Sequence, residues 1–133
     1  MTSRFLLDTH ILIRCLADPK RLSREQARVL NEAIGQHESL AISAITLVEI
    51  ALLDREGSIR TKISMDELFS TLAGNPSFVI LPLTIDIARE VSFLGALRDP
   101  SDRVIVATAR VHGLRLLTSD QRILDSNVVS AIE

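Results

Sequence analysis

Four widely separated carboxylates are the residues of this chain best placed to do chemistry. Three of them fall where an apolar run ends or where a helix should begin, and the set is Asp8, Glu49, Asp102 and Asp120. In an open parallel α/β sheet the carboxyl ends of the strands share one crevice, so acids at several strand ends can meet although sequence separates them. We therefore expect one acidic pocket.

Such a pocket favours a hard divalent cation. Two carboxylates about 4 Å apart repel by about 4 kcal/mol at an effective dielectric of 20, so a cluster of four protonates, spreads apart or recruits a cation. Mg²⁺ and Mn²⁺ prefer oxygen ligands. A metal held by carboxylates can activate a water and stabilise the charge of a phosphodiester under attack. The acids therefore predict Mg²⁺ or Mn²⁺ as the cofactor.

Each acid also has a purely structural interpretation. Asp8 and Asp120 can cap the helices that follow them. Asp102 would be the third residue of its helix, where a carboxylate gains about 0.3–1 kcal/mol from the helix macrodipole, while Asp99 is the better N-cap. Glu49 can lie on the solvated edge of an otherwise buried helix. A non-catalytic α/β interaction domain that uses the acids as caps is therefore the alternative to an enzyme.

Composition limits the class of protein. A chain of 133 residues with 47% hydrophobic content predicts one domain over residues 1–133 with a substantial core. The single cysteine, Cys15, forms no internal disulfide, and we expect a reducing compartment, by default the cytoplasm. No stretch approaches the length of a membrane span. A net charge of −2 and an aromatic content of 3% argue against a broad basic face or a base-stacking platform.

Predicted strands alternate with predicted helices along the whole chain. Strands are expected over residues 4–7, 39–42, 78–83, 114–118 and 128–132, the third of a buried type. Helices are expected over residues 9–16, 23–35, 44–53, 64–74, 84–94, 100–112 and 120–124, with a turn at Gly57 and Ser58. Capping patterns predict where several of the helices begin. The buried face of the sixth helix is predicted to consist of Val104, Ala107, Thr108 and Val111. The alternation predicts a three-layer α/β/α sandwich with a parallel sheet of about five strands.

Four motifs carry a resemblance to a known family. They are Leu-Leu-Asp-Thr-His at residues 6–10, Ser43 to Glu49, Arg-Asp-Pro-Ser-Asp-Arg at residues 98–103, and Leu-Thr-Ser-Asp at residues 117–120. In this order and spacing they resemble the acidic motifs of PIN-domain nucleases, and the match covers nearly the whole chain. The Asp-Thr-His start and the Arg-Asp-Pro motif are most similar to VapC-type toxins of bacterial toxin–antitoxin pairs.

The resemblance implies an activity and partners. It implies a PIN-like fold and a metal-dependent endoribonuclease that hydrolyses RNA phosphodiester bonds, usually a homodimer, silenced by a cognate antitoxin. A PIN nuclease of RNA maturation is the alternative within the family. The chain departs from many relatives at Val48, where they carry Trp, and at Ala96 and Leu97, where they carry His.

The resemblance also implies roles for single residues. Asp8, Glu49, Asp102 and Asp120 would form the acidic metal site, with Asp8 and Asp102 as direct ligands and the other two acting through waters. The supporting residues would be Asp99 as a fifth acid, Thr9 and Thr118 as groups that orient the carboxylates, and Arg103 as a phosphate contact or a surface ion pair. His10 is expected to pack or cap, and Cys15 to belong to the core.

Overall fold

The computed structural model describes residues 2–57 and 62–133. In this part of the chain a parallel five-stranded sheet has the order β3-β2-β1-β4-β5. Its strands are β1 (Phe5–Leu7), β2 (Leu40–Ser43), β3 (Phe78–Leu81), β4 (Arg115–Leu117) and β5 (Ala131–Ile132). The chain builds outward from β1 in one direction and then returns to its other side with β4. The β1–β4 boundary is therefore the switch point, where an open α/β sheet forms its ligand crevice.

The helices begin where the sequence places their caps. They are α1 (Thr9–Ala17), α2 (Arg24–Gly35), α3 (Ala44–Arg55), α4 (Met65–Gly74), α5 (Ile85–Val91), α6 (Pro100–His112) and α7 (Gln121–Ser126), with a short 3₁₀ turn at Pro19–Arg21. Ser23 and Gln26 form the predicted capping box, in which each side chain bonds the other's backbone N–H. Gly113 ends α6 with φ +66°, a left-handed conformation that glycine adopts without strain.

Two hydrophobic clusters lie on the two faces of the sheet. Leu7 belongs to a cluster with residues of α1 to α4, whereas its neighbour Leu6 belongs to a cluster with residues of α5 to α7. Successive side chains of a strand point to opposite faces, so this division is the one that a sheet covered on both sides requires. The predicted three-layer sandwich is confirmed.

The third strand departs from the prediction. It is not of a buried type, because β3 lies at the edge of the sheet and leaves Val79 and Ile80 exposed by 36% and 39%. The strand ends at Leu81 rather than at residue 83. Pro82 follows at once, and a proline lacks the N–H that a further ladder bond needs. Apolar composition alone did not distinguish an edge strand from a central one.

The buried face of α6 is also shifted from the predicted one. Val111 is 39% exposed, and Val104 is only half-buried. Asp102, Ile105 and Ala109 are buried and follow the spacing of one helical face. Ala107 and Thr108 are buried as predicted, whereas Asp102, which the prediction left out, belongs to the buried stripe.

Several boundaries differ by a few residues. The helix α5 ends at Val91 rather than at residue 94, and β5 is limited to Ala131–Ile132. Gly57 has φ +69°, as a turn residue often does, while Ser58 lies outside the described residues. No helix within residues 2–57 or 62–133 is long and apolar enough to cross a membrane.

Candidate active site

Asp8 lies at the carboxyl end of β1 and is the N-cap of α1. One carboxylate oxygen, Oδ1, accepts a hydrogen bond from the backbone N–H of Thr9 at 2.8 Å, and the other, Oδ2, accepts one from the hydroxyl of Thr118 at 2.7 Å. The residue is only 6% exposed. Burial raises the pKa of Asp8, and these two hydrogen bonds offset part of that rise. The capping role and a place in the acidic site therefore coexist in one side chain.

Thr118 joins the ends of β1 and β4. Its buried hydroxyl donates to Asp8 and accepts from the backbone N–H of Asp120 at 3.1 Å. Asp120 caps α7 by accepting from the backbone N–H of Arg122 at 2.9 Å, and its Oδ2 lies 3.3 Å from the Arg122 guanidinium. Burial alone would raise the pKa of Asp120, but the hydrogen bonds and charge of Arg122 lower it overall.

Glu49 reaches the same place from α3. Its Oε1 accepts a hydrogen bond of 2.7 Å from the hydroxyl of Thr9, which also lies 3.0 Å from the hydroxyl of Thr46. Burial raises the pKa of Glu49, and the charges of Asp8 and Asp99 raise it further. Glu49 thus faces the acids rather than the solvated edge of its helix.

Asp102 is a buried acid with a strongly raised pKa. Asp99 takes the N-cap position of α6 and accepts from the backbone N–H of Ser101 at 2.9 Å, which leaves Asp102 free in the first turn. Asp102 is 8% exposed. Its pKa is raised from 3.8 to about 7. Burial is the largest cause, and the charges of Asp99, Asp8, Asp120 and Glu49 follow in that order. Asp102 is therefore within electrostatic range of each of these carboxylates.

A cavity of about 350 Å³ adjoins two of the acids. Its lining residues are Ala96, Leu97, Arg98, Asp99, Asp102 and Arg122. Both signs of charge meet in it, because two aspartates and two arginines line the same space. A polyanionic ligand can therefore find cations beside the acids.

The oxygen donors of the candidate site suit a cation that keeps part of its water shell better than one bound by protein ligands alone. Within residues 2–57 and 62–133, no three His, Cys, Asp or Glu side chains are arranged as ready-made ligands around one point. The available donors are carboxylate and hydroxyl oxygens, which are hard ligands. Mg²⁺ keeps several waters and is usually held by one or two carboxylates. The residues present fit this mode of binding.

Three other residues singled out in the sequence have different surroundings. The Nε of Arg103 donates to the backbone carbonyl of Leu97, and no ion pair of Arg103 occurs in the described part of the chain. His10 is exposed beside Asp8, and Asp8 rather than His10 caps α1, so the expectation that His10 packs or caps is wrong. Cys15 packs against the core as expected, and burial raises the pKa of its thiol.

Two residues of the site were missed. Gln26 is buried, and its side-chain amide lies 3.4 Å from the carbonyl of Thr118 and 3.3 Å from the hydroxyl of Ser119, so it supports the loop after β4. Arg122 lines the cavity. Its position two residues after a capping aspartate was the available signal, because the first turn of a capped helix lies beside the cap.

Comparisons with known proteins agree with this architecture. The family model described as PIN domain matches residues 5–131. Ribonuclease VapC22 of Mycobacterium tuberculosis is 35% identical over 121 residues, which cover 89% of this chain and 88% of the relative.

Two solved structures share the fold. The structure described as FitAcB from Neisseria gonorrhoeae has a TM-score of 0.67 at 25% identity, covering 97% of this chain and 96% of its own. A toxin–antitoxin complex from Klebsiella pneumoniae has a TM-score of 0.65 at 24% identity, and the match covers 96% of this chain and 95% of the chain in that complex. The chain belongs to the PIN-domain family, and within it to the VapC group.

Proposed function

We propose that the protein is an endoribonuclease that hydrolyses RNA phosphodiester bonds with Mg²⁺ or Mn²⁺. The observation that carries the proposal is the convergence of the acids: a pKa of about 7 at Asp102 depends in part on neighbouring Asp99 and on three carboxylates from distant parts of the chain, Asp8, Glu49 and Asp120. Perturbed pKa values that cluster in a cleft are typical of functional sites. The similarity to Ribonuclease VapC22 supports RNA as the substrate class.

In this proposal the acids bind the cation and the threonines orient the acids. Asp8 and Asp102 are direct ligands, Glu49 and Asp120 act through waters, and Asp99 adds a fifth negative charge. When bound, the cation supplies positive charge and Lewis acidity for water activation and for the attacked phosphate. Thr118 and Thr9 hold Asp8 and Glu49 through hydrogen bonds of 2.7 Å each, so these carboxylates are oriented before RNA arrives.

We further propose that this single nuclease domain is the toxin of a toxin–antitoxin pair and forms a homodimer. The Klebsiella structure is described as a toxin–antitoxin complex, so the fold occurs with such a partner. Val48 and Leu52, one turn apart on α3, are 52% and 53% exposed. Apolar side chains on one helix face suit coverage by a protein partner. An antitoxin reading frame beside the gene would distinguish a toxin from an RNA-maturation nuclease.

The activity is tested by incubating the purified chain with a panel of structured RNAs, in Mg²⁺ or in chelator. Wild type should cleave RNA only when the cation is present. The cleavage rate of Asp102→Asn should fall at least about 100-fold, because residues that merely support metal ligands already change activity 10- to 100-fold. Asp125→Asn is the matched control, since Asp125 is an exposed acid of α7 bonded to Gln121. Cleavage that persists in chelator, or that is unchanged in Asp102→Asn, would overturn the proposal.

A further inference from the structure

Arg122 occupies a position that the proposed function has not yet used. It lines the 350 Å³ cavity together with Asp99, Asp102 and Arg98. The hydrogen bond and charge of Asp120 raise the pKa of Arg122, and the charges of Asp102 and Asp99 raise it further. The guanidinium therefore lies beside the acids, at the place where an incoming RNA would meet their negative charge.

The guanidinium is loosely held. Its side chain is 72% exposed, and two of its three nitrogens, Nη2 and Nε, contact Asp120 at 3.3 and 3.4 Å, which is long for a charge-assisted bond. An exposed ion pair of this kind contributes little to stability, so exchanging it for another anion costs little.

Two arginines outside the lining of the cavity are held by other groups of the protein. The Nε of Arg103 is committed to the carbonyl of Leu97. Arg110 is held by Glu90 at 2.5 Å and by the carbonyl of Val128 at 2.7 Å. Of the residues that line the cavity, Arg98 and Arg122 are the two cations, and only Arg122 is positioned by one of the proposed metal-site acids.

We propose that Arg122 binds an RNA phosphate at the rim of the site, exchanging Asp120 for the phosphate as the RNA enters. This inference rests on the proposed function and assigns to Arg122 the phosphate contact that the sequence suggested for Arg103. The planar guanidinium suits a phosphate because it donates two parallel hydrogen bonds. A cation beside Asp120, Asp102 and Asp99 is also what a polyanion needs in order to approach the acids.

The test is a salt series. Binding of a fluorescein-labelled single-stranded RNA of mixed sequence is followed by fluorescence anisotropy, in chelator so that the RNA stays intact. Arg122→Ala should weaken binding about tenfold, as expected for loss of one charge-assisted contact. It should also reduce the slope of log K against log salt by about 0.7, the value for one phosphate on a single strand.

Two variants serve as controls. Arg122→Lys should keep most of the slope because it keeps the charge, and Arg89→Ala should bind as wild type, since Arg89 is an exposed residue of α5 beside Asp86. Melting temperatures should be unchanged throughout.

Two results separate the possible failures. If wild type cleaves RNA with Mg²⁺ but Arg122→Ala keeps the wild-type slope, Arg122 only neutralises Asp120 and this inference is wrong. If wild type neither binds nor cleaves RNA, the proposed function fails and the inference fails with it.

Discussion

Replacing Asp102 by asparagine should stabilise the metal-free protein at alkaline pH. The carboxylate is buried beside other acids, and its pKa is raised from 3.8 to about 7. A carboxyl group with a raised pKa binds its proton more tightly in the folded state than in the unfolded state. Folding stability therefore falls as pH rises from about 4 through about 7. Asparagine has the same shape but no charge, so the variant does not suffer this loss.

The magnitude follows from the pKa. A rise from 3.8 to about 7 corresponds to about 4 kcal/mol, at about 1.36 kcal/mol for each pKa unit. The side chain borders an open cavity, so solvent screening reduces this to about 2 kcal/mol. The substitution also loses the favourable helix-dipole interaction in the first turn of α6, which lowers the expected stabilisation by about 0.3–1 kcal/mol. The net gain is about 1–2 kcal/mol, or a melting temperature higher by about 4–8 °C.

The assay is thermal or urea unfolding in chelator between about pH 5 and pH 8. The difference between Asp102→Asn and wild type should be largest at the alkaline end and should shrink by more than half at the acidic end. Asp125→Asn should follow wild type at every pH, because Asp125 is exposed on α7. An Asp102→Asn variant that is no more stable than wild type at about pH 8 would refute the view that burial and the neighbouring acids raise the pKa of Asp102.

Three further predictions concern other parts of the fold. Thr118→Val removes the 2.7 Å hydrogen bond to Asp8 and should weaken Mn²⁺ binding about tenfold in calorimetry; equal affinity would show that Thr118 does not orient the acid. Ser23→Ala removes the capping-box oxygen that accepts from the Gln26 backbone and should lower the free energy of unfolding by about 1 kcal/mol; urea titration checks this, and an unchanged midpoint would contradict it. Leu52→Glu places a charge on the exposed face of α3 and should convert a homodimer to a monomer in size-exclusion chromatography with light scattering; a dimer that persists would place the interface elsewhere.

The sequence was sufficient for the architecture because the signals were local. Side-chain caps at Ser23, Ser43, Ser64 and Thr84 mark true helix starts, and each depends only on residues a few positions apart. The edge position of β3 was not predictable in this way. Val79 and Ile80 have the composition of a central strand, and their exposure depends on the order of strands in the sheet.

The sequence could nominate the acids of the candidate site but not the contacts between them. The alternation of strands and helices was enough to bring Asp8 and Asp120 to one crevice, because parallel strand ends share an edge. Asp102 lies in the first turn of α6, which follows α5 rather than a strand, so this argument does not place it. The pairing of Asp120 with Arg122 and the bond from Thr9 to Glu49 depend on side-chain rotamers. The burial of Asp102 also depends on the rotation of α6 about its axis, which the predicted buried face matched at Ala107 and Thr108 but not at Val111.

The central claim is that these distant acids meet to bind a divalent cation. The most direct test is a titration of Mn²⁺ into the purified chain, with free Mn²⁺ counted by electron paramagnetic resonance, for wild type, Asp102→Asn and Asp125→Asn. We expect saturable uptake of Mn²⁺ by wild type and by Asp125→Asn, with uptake lost or strongly weakened in Asp102→Asn. Equal uptake by all three proteins, or no saturable uptake by wild type, would contradict it.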